Sequence, residues 1–217
     1  MEKEKANDRA QHPLFARFYA RISPAMDRGG VVDHRRRLLA GLSGEVLEVG
    51  AGNGLNFMHY PPEVTRVVAV EPERRLREIA LANAERAPVR VEVVDGIAER
   101  LPADDAAFDA GVASLVLCSV NDQAVALREL RRVIRPGGHL RFLEHVRAQT
   151  RGLARLQRVA DATLWPLLMG GCHTHRDTAE AIVAAGFEIE QIDRFLFPEG
   201  RFPPPTAPNI LGVARRN

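Results

Sequence analysis

Five short runs of apolar, largely β-branched residues mark the middle of the chain, with helically spaced stretches between them. The runs are "EVLEV" (45–49), "VVAVE" (67–71), "VRVEVVD" (89–95), "FDAGVASLVL" (108–117) and "HLRFLEHV" (139–146). Their apolar content suits strands covered on both faces, as in a parallel sheet. Leu76, Ile79, Ala80 and Ala84 share one helical face, and so do Leu127, Leu130 and Ile134. Asn121 or Asp122 stands where the second of these helices needs an N-cap, and "RPGG" (135–138) stops it. Strands alternating with helices predict an open α/β sheet with right-handed crossovers.

The pattern changes towards both ends. "RDTAEAIVAAG" (176–186) reads as a helix stopped by Gly186, "FEIEQIDRF" (187–195) alternates like a strand, and "ILGVARR" (210–216) reads as a last strand. Between these strands, "LFPEGRFPPPTAP" is too proline-rich for regular structure and could lie over a ligand. At the other end, "HPLFARFYARISPAMD" (12–27) spaces Leu14, Phe18 and Ile22 as one helical face, with Phe15 and Tyr19 alongside. "DHRRRLL" (33–39) reads as a solvated helix face. The expected division is a helical segment over 1–42 and a main domain over 43–217, in which 147–175 covers the substrate side. Within that cover, Trp165, Leu168 and Met169 suggest an apolar pocket for a hydrophobic small molecule.

Composition narrows the classes. The 217 residues carry a formal net charge of +2, and the arginine cluster lacks interleaved aromatic residues, so no nucleic-acid partner is expected. Two cysteines are too few for a disulfide framework, which predicts reduced thiols and a cytoplasmic setting. No apolar run approaches the roughly 20 residues of a membrane span. Oligomeric state is not legible.

The chemistry begins at "EVLEVGAGNG", a strand running into Gly50-x-Gly52-x-Gly54. Glycines there allow a tight turn and close approach of backbone to a ligand. A dinucleotide fingerprint would need a further glycine at position 55, which is Leu55, so a nicotinamide oxidoreductase is disfavoured. Glu71 ends the second strand, followed by Pro72, where a carboxylate can accept hydrogen bonds from both ribose hydroxyls. Asp95 ends the third strand, followed by Gly96 and Ile97, where a carboxylate can receive an adenine amino group and Ile97 can pack on the ring.

These residues resemble the class I S-adenosylmethionine-dependent methyltransferases, over about residues 44–146 strongly and the tail more loosely. "EVGAGNG" looks like their first motif, Glu71 like their ribose acid, Asp95-Gly96 like their adenine motif and "RPGGHL" like their post-catalytic turn. The resemblance implies a Rossmann-like, seven-stranded, mostly parallel sheet with an antiparallel last strand, helices on both faces and an N-terminal helical lid. It implies that Glu48, Gly50, Ala51, Gly52, Asn53, Gly54 and Asn56 surround the methionine and ribose parts of S-adenosylmethionine. Ser114 and Leu115 would then face its amino-acid end, with Tyr19 of the lid nearby. "NFMHYPPEV", "SLVLCSVNDQ", "ELRRVIRPGGHLRFLEHV" and "GGCHTHRDT" resemble the group that includes thiol S-methyltransferases, and more distantly the ubiquinone/menaquinone C-methyltransferases and phospholipid N-methyltransferases.

The expected activity is methyl transfer to a small apolar acceptor, with sulfur the expected atom. Oxygen, nitrogen or carbon acceptors, including a lipid, and a cofactor-binding module without turnover are the alternatives. The candidate bases are His145, at the carboxyl end of the fifth run, and His173, with His175 close by. Cys172, His173 and His175 could supply three metal ligands, but a structural zinc site usually wants four and Cys118 is the only other cysteine, so no metal is expected. Thr174 followed by Asp177 reads instead as a helix N-cap with an acid three residues on.

Overall fold

The apolar runs become the strands of one seven-stranded sheet in the computed structural model, which describes residues 11–200 and 202–217. In chain order they are β1 (Gly44–Val49), β2 (Val64–Val70), β3 (Val91–Val94), β4 (Phe108–Ser114), β5 (Ile134–His145), β6 (Phe187–Leu196) and β7 (Pro208–Arg216). Across the sheet the order is β3-β2-β1-β4-β5-β7-β6. The pairs from β3 through β5 are parallel, whereas β7 runs antiparallel to both β5 and β6. The chain therefore winds outward from β1 to β3 and returns to β4 on the other side of β1. That reversal opens a crevice at the carboxyl ends of β1 and β4, where ligands bind in sheets of this kind.

Alternation along β1 feeds two cores. Leu47 and Val49 pack with Val70, Ala113, Phe142 and the inner face of a helix that carries Leu127 and Leu130. Val46 faces the other way and packs with Val67, Val112, Leu38, Leu39 and Phe57. Fully burying an aliphatic or aromatic side chain contributes about 1.5–3 kcal/mol, so both faces of the sheet are driven shut.

The helices are α1 (Pro13–Met26), α2 (Val32–Leu39), α3 (Arg74–Ala84), α4 (Gln123–Val133), α5 (Arg151–Asp161), α6 (Trp165–Leu168) and α7 (Thr178–Ala184). Asp122 caps α4, accepting from the Val125 amide at 3.0 Å. Asp177, not Thr174, caps α7. The Thr174 amide and hydroxyl both donate to Asp161 at the end of α5, which holds the 170–175 segment outside the helix.

Two expectations about apolar faces are corrected. In α1, Leu14 and Phe18 point to solvent, and the inward face carries Phe15, Ala16, Tyr19 and Ser23. Leu168 is likewise exposed. Nor is the arginine run wholly solvated. Arg35 is buried, pairing with Asp27 at 2.9 Å and donating to Asn56 Oδ1 at 2.9 Å. Between α1 and α2 the helix widens to a π-turn over Asp27–Val31, where Gly30 takes φ +114°. Among the described residues no helix is long and apolar enough to cross a membrane.

The centre of β7 admits no side chain at Gly212. A Cβ there would lie 2.3 Å from the Gln191 carbonyl oxygen and 2.5 Å from the Phe142 ring. Gly212→Ala should therefore destabilise the protein by about 1–3 kcal/mol, the usual cost of overpacking a filled core. Urea unfolding measures this, and an unchanged midpoint would mean that β5 and β6 separate freely around β7.

Candidate active site

A cleft lies in the crevice between the ends of β1 and β4. The loop after β1 forms its near wall, with Gly50 and Gly52 in the left-handed region at φ +62° and +58°. At Gly50 a Cβ would also fall 2.2 Å from the Val116 side chain, so the position demands glycine twice over. The loop is fastened to the end of β2. Glu71 accepts the Gly52 amide at 2.6 Å and the Glu73 amide at 2.9 Å. Burial raises the Glu71 carboxyl to about 7 against the pull of those two bonds. Two amides leave the carboxylate with further lone pairs facing the cleft.

Nine of the residues expected at the cofactor line this cleft: Tyr19, Gly50, Gly52, Glu71, Pro72, Gly96, Ile97, Ser114 and Leu115. Ser114 Oγ is buried without a hydrogen-bond partner among the described residues. Leu76, Glu73 and Phe15 join them, unanticipated.

Glu48, Ala51, Asn53, Gly54, Asn56 and Asp95 do not line the cleft. Glu48 points to the opposite face of β1, where it accepts from Asn56 Nδ2 at 2.7 Å and from the Tyr60 hydroxyl at 2.8 Å. Asn56 in turn accepts from Arg35, so a buried chain Glu48–Asn56–Arg35–Asp27 braces the glycine loop from behind. Asn53 donates to Ser23 Oγ of α1 at 2.9 Å. Asp95 stands at the rim, paired with Arg77 at 3.0 Å.

The helix α1 closes the cleft from above and is tethered at its start. Gln11 Nε2 donates to the Pro72 carbonyl at 2.6 Å, and the His12 amide to Glu73 at 2.8 Å. Phe15 stacks on Tyr19 with ring centroids 5.6 Å apart. Burial raises the Tyr19 hydroxyl, outweighing the neighbouring Arg35.

The floor is the segment leaving β4. Leu115 takes φ +59°, a strained conformation for a branched side chain. Beyond it, fully buried Glu144 accepts the amides of Val116 at 3.0 Å, Leu117 at 2.9 Å and Cys118 at 3.2 Å. Behind this floor lies a second cavity that shares Phe15, Tyr19, Leu115 and Ser119 with the cleft. Most of its wall is apolar, from Ile22, Met26, Leu143, Met169, Phe195 and Phe197. His34 stacks on Phe195 at 4.4 Å, its Nδ1 buried without a partner among the described residues.

The polar end of that cavity joins three residues that sequence spacing did not connect. Cys118 Sγ and Cys172 Sγ lie 3.9 and 3.8 Å from His145 Nδ1. The neighbouring Cys172 thiol, then burial, push the Cys118 thiol well above its usual range. Burial alone would lower the His145 imidazole, but its contact with Cys118 and the charge of Glu144 outweigh that and raise it. Cys172 arrives on a turn built from Gly170 and Gly171, where a Cβ at Gly171 would meet the Ser119 carbonyl oxygen at 2.7 Å. His173 does not line the cavity. Its amide donates to the Cys118 carbonyl at 2.8 Å and its ring Nδ1 bonds the Gly171 carbonyl at 2.8 Å. His175 is held back by its amide, which donates to Asp161 at 3.0 Å. The available signal for Cys118 was a cysteine just past an apolar strand, which says nothing of its partners until the turn at 170–173 is placed.

Comparisons with known proteins identify the family. The family described as "Methyltransferase domain" matches residues 47–142. The human thiol S-methyltransferase TMT1A is 38% identical over 154 residues, 68% of this chain and 62% of that protein. The rat thiol S-methyltransferase TMT1B is 37% identical over 187 residues, 81% of this chain and 73% of that protein. Among solved structures, a SAM-dependent methyltransferase of Thermotoga maritima, described as a possible histamine N-methyltransferase, superposes with a TM-score of 0.65. It is 21% identical, with 93% of this chain and 99% of that one covered, a likeness of fold.

The brace behind the glycine loop has a pH signature. Burial moves the Glu48 carboxyl from its ordinary 4.5 to about 7. A raised carboxyl holds its proton more tightly when folded. Its contribution is therefore fully present below 4.5 and is lost as pH rises through about 7. A shift of this size corresponds to about 3 kcal/mol. Glu48→Gln should remove that slope, so its stability relative to wild type should improve by about that amount between pH about 4.5 and about 8. Urea unfolding across this range checks it, and parallel curves would mean that Glu48 titrates alike in the folded and open chains.

Proposed function

The chain belongs to the S-adenosylmethionine-dependent methyltransferases, and from that membership we propose that it methylates the sulfur of a small apolar thiol. The observation that carries the reading is the second cavity: apolar along its length, contiguous with the cofactor cleft, and ending in Cys118, His145 and Cys172.

The cleft's donor set fits S-adenosylmethionine. Glu71 has lone pairs for vicinal hydroxyls, Ile97 and Leu76 offer apolar contact to a ring, and the unpartnered Ser114 hydroxyl suits the polar amino-acid end. Bound there, the cofactor supplies a methyl group on a positively charged sulfur. The chain's own part is to orient the acceptor and exclude water, and positioning of this kind can remove a large part of the barrier to such a displacement. Phe15 and Tyr19 belong to both cavities, so α1 shields the path between them. Leu115 and Ser119 form the rest of the passage.

The acceptor's chemistry follows from what lines its cavity. Among the described residues the lining contains no Asp or Glu, so a cationic amine finds no counter-charge there. An alcohol would need a strong base to become nucleophilic. A thiol has a pKa of about 8.5 and is already a few per cent thiolate at neutral pH. The polar head formed by His145 and the two cysteines receives its S–H while the apolar body lies against Met169 and Phe195.

Purified protein supplied with S-adenosylmethionine and a panel of small thiols, phenols and amines should release S-adenosylhomocysteine with the apolar thiols. Turnover confined to phenols or amines would overturn the thiol assignment. His145→Ala should lower kcat/KM for a thiol about 10²-fold, at the low end for lost proton handling, whereas His173→Ala should change it by about twofold or less. Glu71→Ala should weaken S-adenosylhomocysteine binding by about tenfold or more, as expected for losing hydrogen bonds to a charged group. Calorimetry reads this, and unchanged affinity would remove Glu71 from the cofactor site.

A further inference from the structure

We propose that Cys118, His145 and Cys172 form a binding site for a thiophilic divalent cation, zinc by its chemistry, with the fourth coordination position open to the acceptor thiol. The three-ligand site stands on its own geometry, and the role of its open position rests on the thiol reading above.

The spacing fits a tetrahedral ion. The three donor atoms all lie within 4.8 Å of one another, and the sulfur-to-nitrogen separations are 3.9 and 3.8 Å. Bonds of about 2.3 Å to sulfur and about 2.0–2.1 Å to nitrogen place tetrahedral donors about 3.6 Å (S to N) and about 3.8 Å (S to S) apart. Closing the site therefore asks for a few tenths of an ångström at each sulfur–nitrogen pair and at most about 1 Å between the two sulfurs. The donor set selects the metal class. Two sulfurs and an imidazole suit zinc and other soft or borderline ions, and among the described residues the cavity lining has none of the carboxylates that calcium or magnesium require.

The ligands come from three separate places that the fold locks together. Glu144 fixes the segment carrying Cys118 through the amides of Val116, Leu117 and Cys118. His145 follows Glu144 directly at the end of β5. The turn carrying Cys172 docks on Cys118 through the His173 amide and packs against Ser119 at Gly171. Such preorganisation is what a metal site needs beyond its ligands. The three ligand residues all line the acceptor cavity, which gives an acceptor thiol access to the remaining tetrahedral position. Three protein ligands with one open position is the pattern of a catalytic zinc site.

The charges and atoms balance. Binding releases the two cysteine thiol protons to solvent, and two thiolates with a neutral imidazole offset the dication. An acceptor thiol that takes the fourth position loses its proton to solvent. Its sulfur lone pair then forms the new S–CH₃ bond as the S–CH₃ bond of the cofactor breaks, giving a thioether and S-adenosylhomocysteine. A neutral thioether is a weaker ligand than a thiolate, so the product leaves.

The test is spectroscopic. The reduced, chelator-stripped full chain is titrated with Co²⁺, whose tetrahedral d–d bands and thiolate charge-transfer band report sulfur ligation directly. One equivalent should bind, Zn²⁺ should displace it, and a small apolar thiol should shift the bands. Cys118→Ser and Cys172→Ser should each weaken the charge-transfer band, and the double variant should abolish it with the circular dichroism unchanged. Failure to bind one equivalent, or binding that survives in the double variant, overturns the proposal. So does a Cys118–Cys172 disulfide that reforms in air and excludes cobalt. Bands unmoved by thiol overturn the open position. Full thiol turnover by the metal-free protein would sink this inference and leave the thiol reading intact. A sulfur-ligated site in a protein without thiol turnover would do the reverse.

Discussion

A single buried carboxylate organises both cavities. The segment leaving β4 has no strand partner for its amides, and buried amides without acceptors are too costly to leave open. Glu144 collects three of them, from Val116, Leu117 and Cys118. Burial raises its carboxyl, and the three bonds offset part of that cost. Fixed in this way, the segment is a partition. Ser114 and Leu115 face the cleft at the ends of β1 and β4, and Cys118 is held against His145 on the other side. The strained Leu115 sits between the two, where the surrounding structure over-determines its backbone.

The N-terminal helices are built into this arrangement. Gln11 and His12 fasten α1 to the turn after Glu71, and Asn53 bonds Ser23 from the glycine loop. From behind, Arg35 of α2 ties Asp27 to Asn56 and so to Glu48 of β1. The glycine loop is thus clamped between two helices and the carboxylate of Glu71. Its three positive-φ glycines give it shape without side chains that would block those contacts.

The sheet was largely legible because strands buried on both faces leave dense apolar runs, and the cap at Asp122 and the stop at Gly186 mark helix ends locally. Boundaries slipped where pairing overrode composition, as in β5, which begins at Ile134 because that residue pairs with Phe108. Faces slipped where a helix is covered on an unexpected side. Leu14 and Phe18 have good amphipathic spacing, but α1 meets the domain through Phe15 and Tyr19. Glu48 was expected beside the cofactor only through the family resemblance, and its place in the alternation of β1 turns its side chain towards Asn56 and Tyr60. The pairing of Cys118 with Cys172 was invisible because it depends on two tight glycines and on the amide contact from His173 to Cys118 across 55 positions of sequence.

The turn at Gly170 and Gly171 touches both sides of this machinery. A side chain at Gly170 would strike the Phe15 ring, so the segment bearing Cys172 lies directly beneath α1. Phe15, Tyr19, Leu115 and Ser119 wall both cavities, so a ligand in one would set part of the surface that a ligand in the other meets. On the proposed reading, whatever affinity the cofactor adds to the acceptor, the acceptor must return in equal measure, which would make the two cavities one linked equilibrium with a shared wall.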